Sequence, residues 1–372
     1  MTDVARARLQ NQHLSRPAFT RPADVVRWLG AVQAQDFPGA KWALALRMRS
    51  ATDAAIERAF DRGEILRTHV LRPTWHFVTP DDIRWMLALT APRVKARLAP
   101  YDRQLGIDAA LVRRSNKAIA SALGRGAHLT RQELRTALNN AGVAADGVQR
   151  LAHLTMHAEL DAVICSGPRR GNQFTYALLD ARVAGKRMLA RDAALAELAR
   201  RYFTSHGPAQ LRDFVWWSGL TTPDARAAVD LARRDLERHV AGGKEYWRSA
   251  SARARRQPAR ALHLLPLYDE FLIAYRDRSA SLDAPLWKWV AGIDAFSSTI
   301  VIDGRVAGRW RPRAAGDRLT IAIDLPVRLA KADDRLLGAA IGRYGAFVGR
   351  NATVVRRDTE ALPEPRPARR NR

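Results

Sequence analysis

Two glutamines, Gln33 and Gln35, flank a single alanine and run directly into Asp36-Phe37-Pro38. A carboxamide offers a carbonyl acceptor and two N–H donors, so it can hold a polar partner in place without acting as a strong base. Residues i and i+2 do not share a helix face, and the two side chains converge only if the chain leaves helical geometry between them. Val25, Val26, Leu29 and Val32 predict an apolar helix leading up to the pair, and Pro38 predicts the exit from it. Polar capping at a helix end is the competing use of the same residues.

Other reactive groupings are set aside by their spacing. Asp269, Glu270 and Asp277 suggest a paired-carboxylate glycosidase, but Arg276 and Arg278 are interleaved with them, and an internal ion-pair network joining the end of the chain to its helical part is the expected arrangement. His153 and His157 fall on one helix face, yet Leu154-Thr155-Met156 between them lacks the glutamate of a zinc protease, so no metal site is expected. The sequence contains no phosphate-binding Gly-x-x-x-x-Gly-Lys run, no dinucleotide-binding Gly-x-Gly-x-x-Gly loop and no Gly-x-Ser-x-Gly elbow. Cys165 is the single cysteine, which excludes an internal disulfide framework and a cysteine-clustered zinc site. Trp75 and Trp85 are expected in the core.

The elements that must position the glutamines follow from periodicity and capping. Thr20 and Pro22 open the first helix, and a second runs from Asp53 to a stop at Gly63. Two β-rich runs, 65–71 and 74–78, then meet at Arg72-Pro73, and Thr79-Pro80-Asp81-Asp82 starts a further helix. Thr130 and Glu133 form a capping-box pattern, and a helix beginning at Asp146 completes a helix-turn-helix. Strands at 162–166 and 174–179 flank the basic loop 167–172, a candidate wing carrying Arg169 and Arg170. A third pass begins near Arg191 and includes 210–217 and a helix capped at Thr222-Pro223-Asp224. Beyond a basic stretch at 248–260 the pattern turns to strands, with Asp303-Gly304 as a two-residue hairpin turn and a late helix at 336–348.

The expected fold class is α+β and mainly helical, with tandem winged-helix units followed by a β-rich, barrel-like domain. The units are placed at 1–98, 99–188 and 189–260, the β-rich domain at 261–358 and a disordered basic tail at 359–372. No apolar run is long enough to span a bilayer and the polar start lacks a signal-peptide core, so a cytoplasmic protein is expected.

Charge points to the partner. The chain of 372 residues has 62 basic and 37 acidic residues, a net charge of +25, and only seven of the basic residues are lysine. Guanidinium groups fork onto phosphates and displace condensed counterions, so nucleic acid is the natural polyanion. An alanine- and arginine-rich background composition is the bland explanation for the same excess.

Three blocks then resemble a known family, the AlkZ-like winged-helix DNA glycosylases, which release alkylated bases and unhook interstrand crosslinks. They are Gly30-Ala31-Val32-Gln33-Ala34-Gln35, Arg72-Pro73-Thr74-Trp75-His76-Phe77-Val78, and Leu264 to Phe271 running into Tyr275-Arg276-Asp277-Arg278; the segment Ile302 to Trp310 is also similar to the family. The resemblance implies tandem winged helices, a β-rich C-terminal domain and a catalytic Gln-x-Gln at Gln33 and Gln35. A related branch carries Gln-x-Asp, and the second glutamine here fits the AlkZ-like branch. The second block makes Thr74 and His76 candidates for lining the site, a core histidine on a strand being the competing use of His76; Arg72, and Arg169 and Arg170 of the basic loop, are candidates for binding DNA. No cofactor and no metal are implied, and the expected partner is double-stranded DNA with alkylated bases, bound by a monomer.

The implied chemistry suits a site without a strong base. An N7-alkylated guanine leaves as a neutral base from a cationic precursor, so no general acid is needed, and positioning a water at the sugar carbon suffices. Gln35 is assigned to the water and Gln33 to its support, a division that can be reversed. A noncatalytic DNA-binding regulator and a protein that sequesters the small molecule itself remain as alternatives.

Overall fold

The computed structural model describes residues 3–185, 187–251, 260–283, 297–326 and 329–358. Most of the basic stretch 248–260 and the whole tail 359–372 therefore lie outside the described residues. Among those described, no helix is long and apolar enough to cross a membrane.

The chain opens with α1 (Val4–Asn11) and α2 (Pro22–Leu29). Pro22 sits in the first turn of α2, where its missing N–H costs nothing. Gly30 ends the helix at a φ of 83°, and the chain becomes extended as β1 (Val32–Gln33). The exit from the helix thus comes at Gly30, ahead of the glutamines. Pro38 instead lies in the first turn of α3 (Phe37–Arg47), where a fixed φ favours the helix start. After α4 (Asp53–Asp61) come β2 (Leu66–His69) and β3 (Trp75–Val78), and the three strands form a sheet in the order β1-β3-β2. The long α5 (Pro80–Gln104) follows; the Thr79 hydroxyl does not cap its backbone but donates to the Asp82 carboxylate at 2.6 Å.

A second group repeats this outline with α6 (Ala109–Ala122), β4 (Leu129–Thr130), α7 (Arg131–Asn140), α8 (Val148–Leu160), β5 (Ile164–Ser166), β6 (Thr175–Leu178) and the short α9 (Leu179–Arg182). Its sheet order is β4-β6-β5, and the Thr130–Glu133 capping box is formed in full. The third group holds α10 (Arg191–Ser205), α11 (Leu211–Ser218) and α12 (Thr222–Leu231), and then the hairpin of β7 (Leu236–Ala241) and β8 (Lys244–Ser249). The cap of α12 is Thr221, one residue before the expected Thr222.

The last part contains β9 (Leu262–Leu265), α13 (Glu270–Ile273), β10 (Thr299–Ile302), β11 (Arg305–Ala315), β12 (Arg318–Leu325), α14 (Lys331–Val348) and β13 (Ala352–Asp358). Asp303 and Gly304 take φ values of 50° and 88°, as the turn between β10 and β11 requires. The strands form an open sheet ordered β13-β12-β11-β10-β9, so the barrel-like expectation is corrected: β9 and β13 stand at opposite edges instead of closing on each other. The crossover through α14 delivers β13 parallel to β12 at the far edge. The fold is α+β.

One apolar core joins the start of the chain to its end. It runs from Leu9 through Trp42, Phe60 and Phe77 to Leu264, Trp310 and Phe347, and the Trp42 indole donates to the Leu264 carbonyl at 2.7 Å. Within the same seam the fully buried Arg47 forks onto Asp269, with both bonds at 2.9 Å. That packing carries α13 to the edge of β1.

Gly219 ties α11 to the loop after β2. Its φ is 70°, and a Cβ there would stand 2.1 Å from the carbonyl oxygen of Leu71, itself at φ 65°. Gly219→Ala is expected to cost about 1–3 kcal/mol, read as a lower urea midpoint with an unchanged slope.

Candidate active site

Extended backbone makes the glutamines neighbours. In β1 and the residues after it, positions i and i+2 project to one side, and Gln33 and Gln35 both line a cleft of about 680 Å³. Gln33 is 6% exposed. Its backbone N–H donates to Glu270 Oε1 at 2.8 Å, and its side-chain carbonyl accepts from Arg72 at 3.0 Å. Gln35 is exposed, and its carboxamide has no hydrogen-bond partner among the described residues.

Glu270 anchors this arrangement from below. It is wholly buried, its other oxygen accepts from the Trp217 indole at 3.0 Å, and His206 Nε2 lies 3.5 Å from that oxygen. Burial lowers the pKa of His206, against the pull of Glu270. Arg72, Arg97, Arg212 and Arg276 bring positive charge to the cleft, whose lining includes no carboxylate, histidine or cysteine among the described residues. Arg276 and Arg72 lie 5.4 and 5.8 Å from the ring centre of Trp216, on the cleft wall. Burial holds Arg72 below the ordinary arginine value, with Glu270 opposing the shift.

The remaining sequence candidates divide. Thr74 lines the cleft, and its carbonyl meets His76 Nδ1 at 2.9 Å. His76 does not line it: it is 0% exposed, paired across the sheet with Gln33 and Thr68. Arg169 also departs from expectation, because its guanidinium turns inward over Phe37 and Phe174 at 5.2 and 4.7 Å and lies 3.5 Å from Glu57. Arg170 is exposed but bonded to Glu133 at 2.7 Å. Both histidines at 153 and 157 face Asp102, at 2.7 and 3.0 Å, and no group of three or more metal-ligating side chains occurs among the described residues. Asp269 is engaged by Arg47, and Asp277 by Arg212, Lys244 and Gln210, so these carboxylates form a network of ion pairs as expected. Burial opposes the charge on Asp277, but hydrogen bonds from Lys244, Ser279 and Gln210 hold it well below the usual carboxylate range. Trp85 is fully buried.

Sequence reasoning missed the contact of Glu270 with the glutamine strand, and missed Arg97, Arg212 and Trp216 in the cleft wall. The available signal for Glu270 was a charged pair, Asp269-Glu270, between the apolar runs Leu262–Leu265 and Phe271–Ile273. For the other three, spread over helices far apart in the chain, there was none.

Buried histidines set a pH dependence. His76, His206 and His263 are all pushed toward the neutral form, chiefly by burial, with His263 lowered to about 4. The unfolded chain therefore binds more protons than the folded one below the ordinary value of 6.5, so stability is complete above that pH and falls as the solution is acidified. The urea midpoint should drop between pH 7 and pH 5, and His263→Gln should make that drop shallower.

Comparison with known proteins agrees over nearly the whole chain. A curated relative from Streptomyces sahachiroi, named interstrand DNA cross-link repair glycosylase, is 26% identical over 363 residues, covering 94% of this chain and 95% of the relative. The solved structure of Streptomyces sahachiroi DNA glycosylase AlkZ superposes with a TM-score of 0.78 at 22% identity, covering 95% of this chain and 98% of that one. The family profile described as DNA glycosylase AlkZ-like matches residues 26–347, from the helix before the glutamine strand to the helix before the last strand, and the chain belongs to that family of N-glycosyl hydrolases.

Proposed function

We propose that this protein is a monofunctional glycosylase that hydrolyses the N-glycosidic bond of N7-alkylated purines in duplex DNA, bulky adducts and interstrand crosslinks included. The observation that carries the reading is the cleft in which two carboxamides and several arginines meet with no carboxylate, histidine or cysteine in its lining among the described residues. Such a set suits a leaving group that already bears positive charge: expelling it needs no proton, only a water held at the anomeric carbon.

Gln35, with its carboxamide open to the cleft, holds that water. Gln33, whose carbonyl is engaged by Arg72 and whose backbone is fixed by Glu270, orients the strand beneath it. Arg72, Arg97 and Arg276 receive backbone phosphates. The crosslink repair named for the curated relative supports extending the substrate range to bulky lesions. The three groups of helices with short sheets or hairpins act as winged-helix units at 1–98, 99–188 and 189–260, ahead of the β-rich domain at 261–358. The enzyme acts as a monomer on the nucleoid in the cytoplasm, with no cofactor.

The test is a duplex carrying N7-methylguanine, scored for released base and alkali-labile abasic sites. Gln33→Ala combined with Gln35→Ala should slow release by at least about 100-fold while binding to undamaged duplex persists. Equal rates for variant and parent would leave a DNA-binding protein without this activity.

A further inference from the structure

The sheet that carries the glutamines has a second face. Phe77 pairs with Val32 on one side and Arg67 on the other, while His76 pairs with Gln33, so Arg67 and Trp75 project away from the glutamine face. There they line a separate cleft of about 470 Å³, closed by Phe174, Tyr176 and the first turn of α7 with Arg131.

Arg67 is unusually placed for a cation. It is 8% exposed, and its guanidinium carbon lies 4.2 Å from the centre of the Trp75 ring and 4.5 Å from that of Phe174. Two aromatic rings thus leave mainly its N–H rim open. The Nε donates to the carbonyl of Ala34 at 2.9 Å, whereas the two terminal nitrogens have neither a hydrogen-bond acceptor nor a carboxylate partner among the described residues. Burial pushes Arg67 down to about 10; Glu159 opposes the shift, while Arg131 and Arg169 add repulsion. Arg131 also lacks a carboxylate partner among the described residues; it reaches the Tyr176 hydroxyl at 3.5 Å and lies 5.8 Å from the centre of the Trp75 ring. Two adjacent guanidiniums that bond no carboxylate among the described residues, one of them buried with only the field of Glu159 to offset it, are costly to keep charged unless an anion joins them.

We propose that this cleft is a phosphate site, in which the open rim of Arg67 and the guanidinium of Arg131 grip one phosphate group beside Tyr176. The planar fork matches tetrahedral oxyanions, and the aromatic walls limit competing water. Its occupancy reaches the glutamines through the backbone. Ala34 stands between them, gives its N–H to the Trp75 carbonyl at 2.7 Å and its carbonyl to Arg67, so a phosphate that fixes Arg67 also fixes the strand from the far side. The site stands whether or not the glutamines are catalytic.

The phosphate comes either from the backbone of bound DNA or from solution, and two arms distinguish these sources. Arg131→Gln is the working variant, since the side chain is half-buried at the edge and makes no ion pair among the described residues. Arg356→Gln, in which the lost guanidinium is exposed and already bonded to Asp334, is the reference. In the first arm, binding to undamaged duplex is measured against salt concentration. A DNA phosphate in the cleft lowers the log–log slope by about one in Arg131→Gln and by less in Arg356→Gln. In the second, inorganic phosphate replaces chloride at fixed ionic strength. A phosphate from solution raises the melting temperature of the parent but not of Arg131→Gln. Either result supports the site and identifies its source. If Arg131→Gln matches the Arg356→Gln reference in the first arm and the parent in the second, the proposal is overturned.

Discussion

A carboxylate without exposed surface holds the glutamine strand in place. Glu270 takes the Gln33 amide on one oxygen and the Trp217 indole on the other, so β1, α11 and α13 meet at a single side chain. A buried acid in this position is tolerated because both oxygens are engaged, and removing either donor would leave part of it unsatisfied. The placement depends in turn on Asp269, one residue earlier, which Arg47 fixes in the seam between the first helices and the last sheet. The ion pair positions the helix, the helix positions the acid, and the acid positions the strand.

The same three-stranded sheet separates two kinds of environment. On the glutamine side a cleft exposes carboxamides rimmed by arginines; on the other, arginine is packed between aromatic rings. Because side chains alternate along a strand, one backbone serves both, and Ala34 is the residue whose peptide groups connect them. A shift of one residue in register would exchange the two faces, which makes the anchoring of β1 by Glu270 a condition for both.

What could be read from the sequence was mostly local. The Thr130–Glu133 capping box, the Asp303-Gly304 turn and the burial of Trp85 each follow from a few adjacent residues, and each is present. The convergence of Gln33 and Gln35 was legible as a need to leave helical geometry, although Gly30 and not Pro38 provides the exit. The rest depends on distant partners. Arg169 reads as a wing residue until Glu57 and Phe37, more than a hundred positions earlier, draw it inward. The open sheet follows from β13 pairing beside β12 after an eighteen-residue helix, a choice that strand propensity does not encode. Likewise, nothing in the spacing of Arg97, Arg212 and Arg276 reveals that α5, α11 and the bend after α13 bring them to one cleft.

Charge explains why uncharged groups suit the place assigned to bond cleavage in the proposed reaction. With a net charge of +25 the protein attracts a polyanion, yet the proposed reaction develops positive charge on the sugar as a cationic base departs. A guanidinium next to that carbon would oppose the transition state, and a lining carboxylate would compete with the DNA phosphates for the surrounding arginines. Carboxamides avoid both problems: they orient a water by hydrogen bonds and add no net charge. In the proposed complex the arginines act on the phosphates, while Glu270 lies beneath the strand, bonded to Gln33 and Trp217 and near enough to Arg72 to favour its charge. Binding and bond cleavage in the proposed reaction thus make opposite electrostatic demands, which fall to different residues of the cleft.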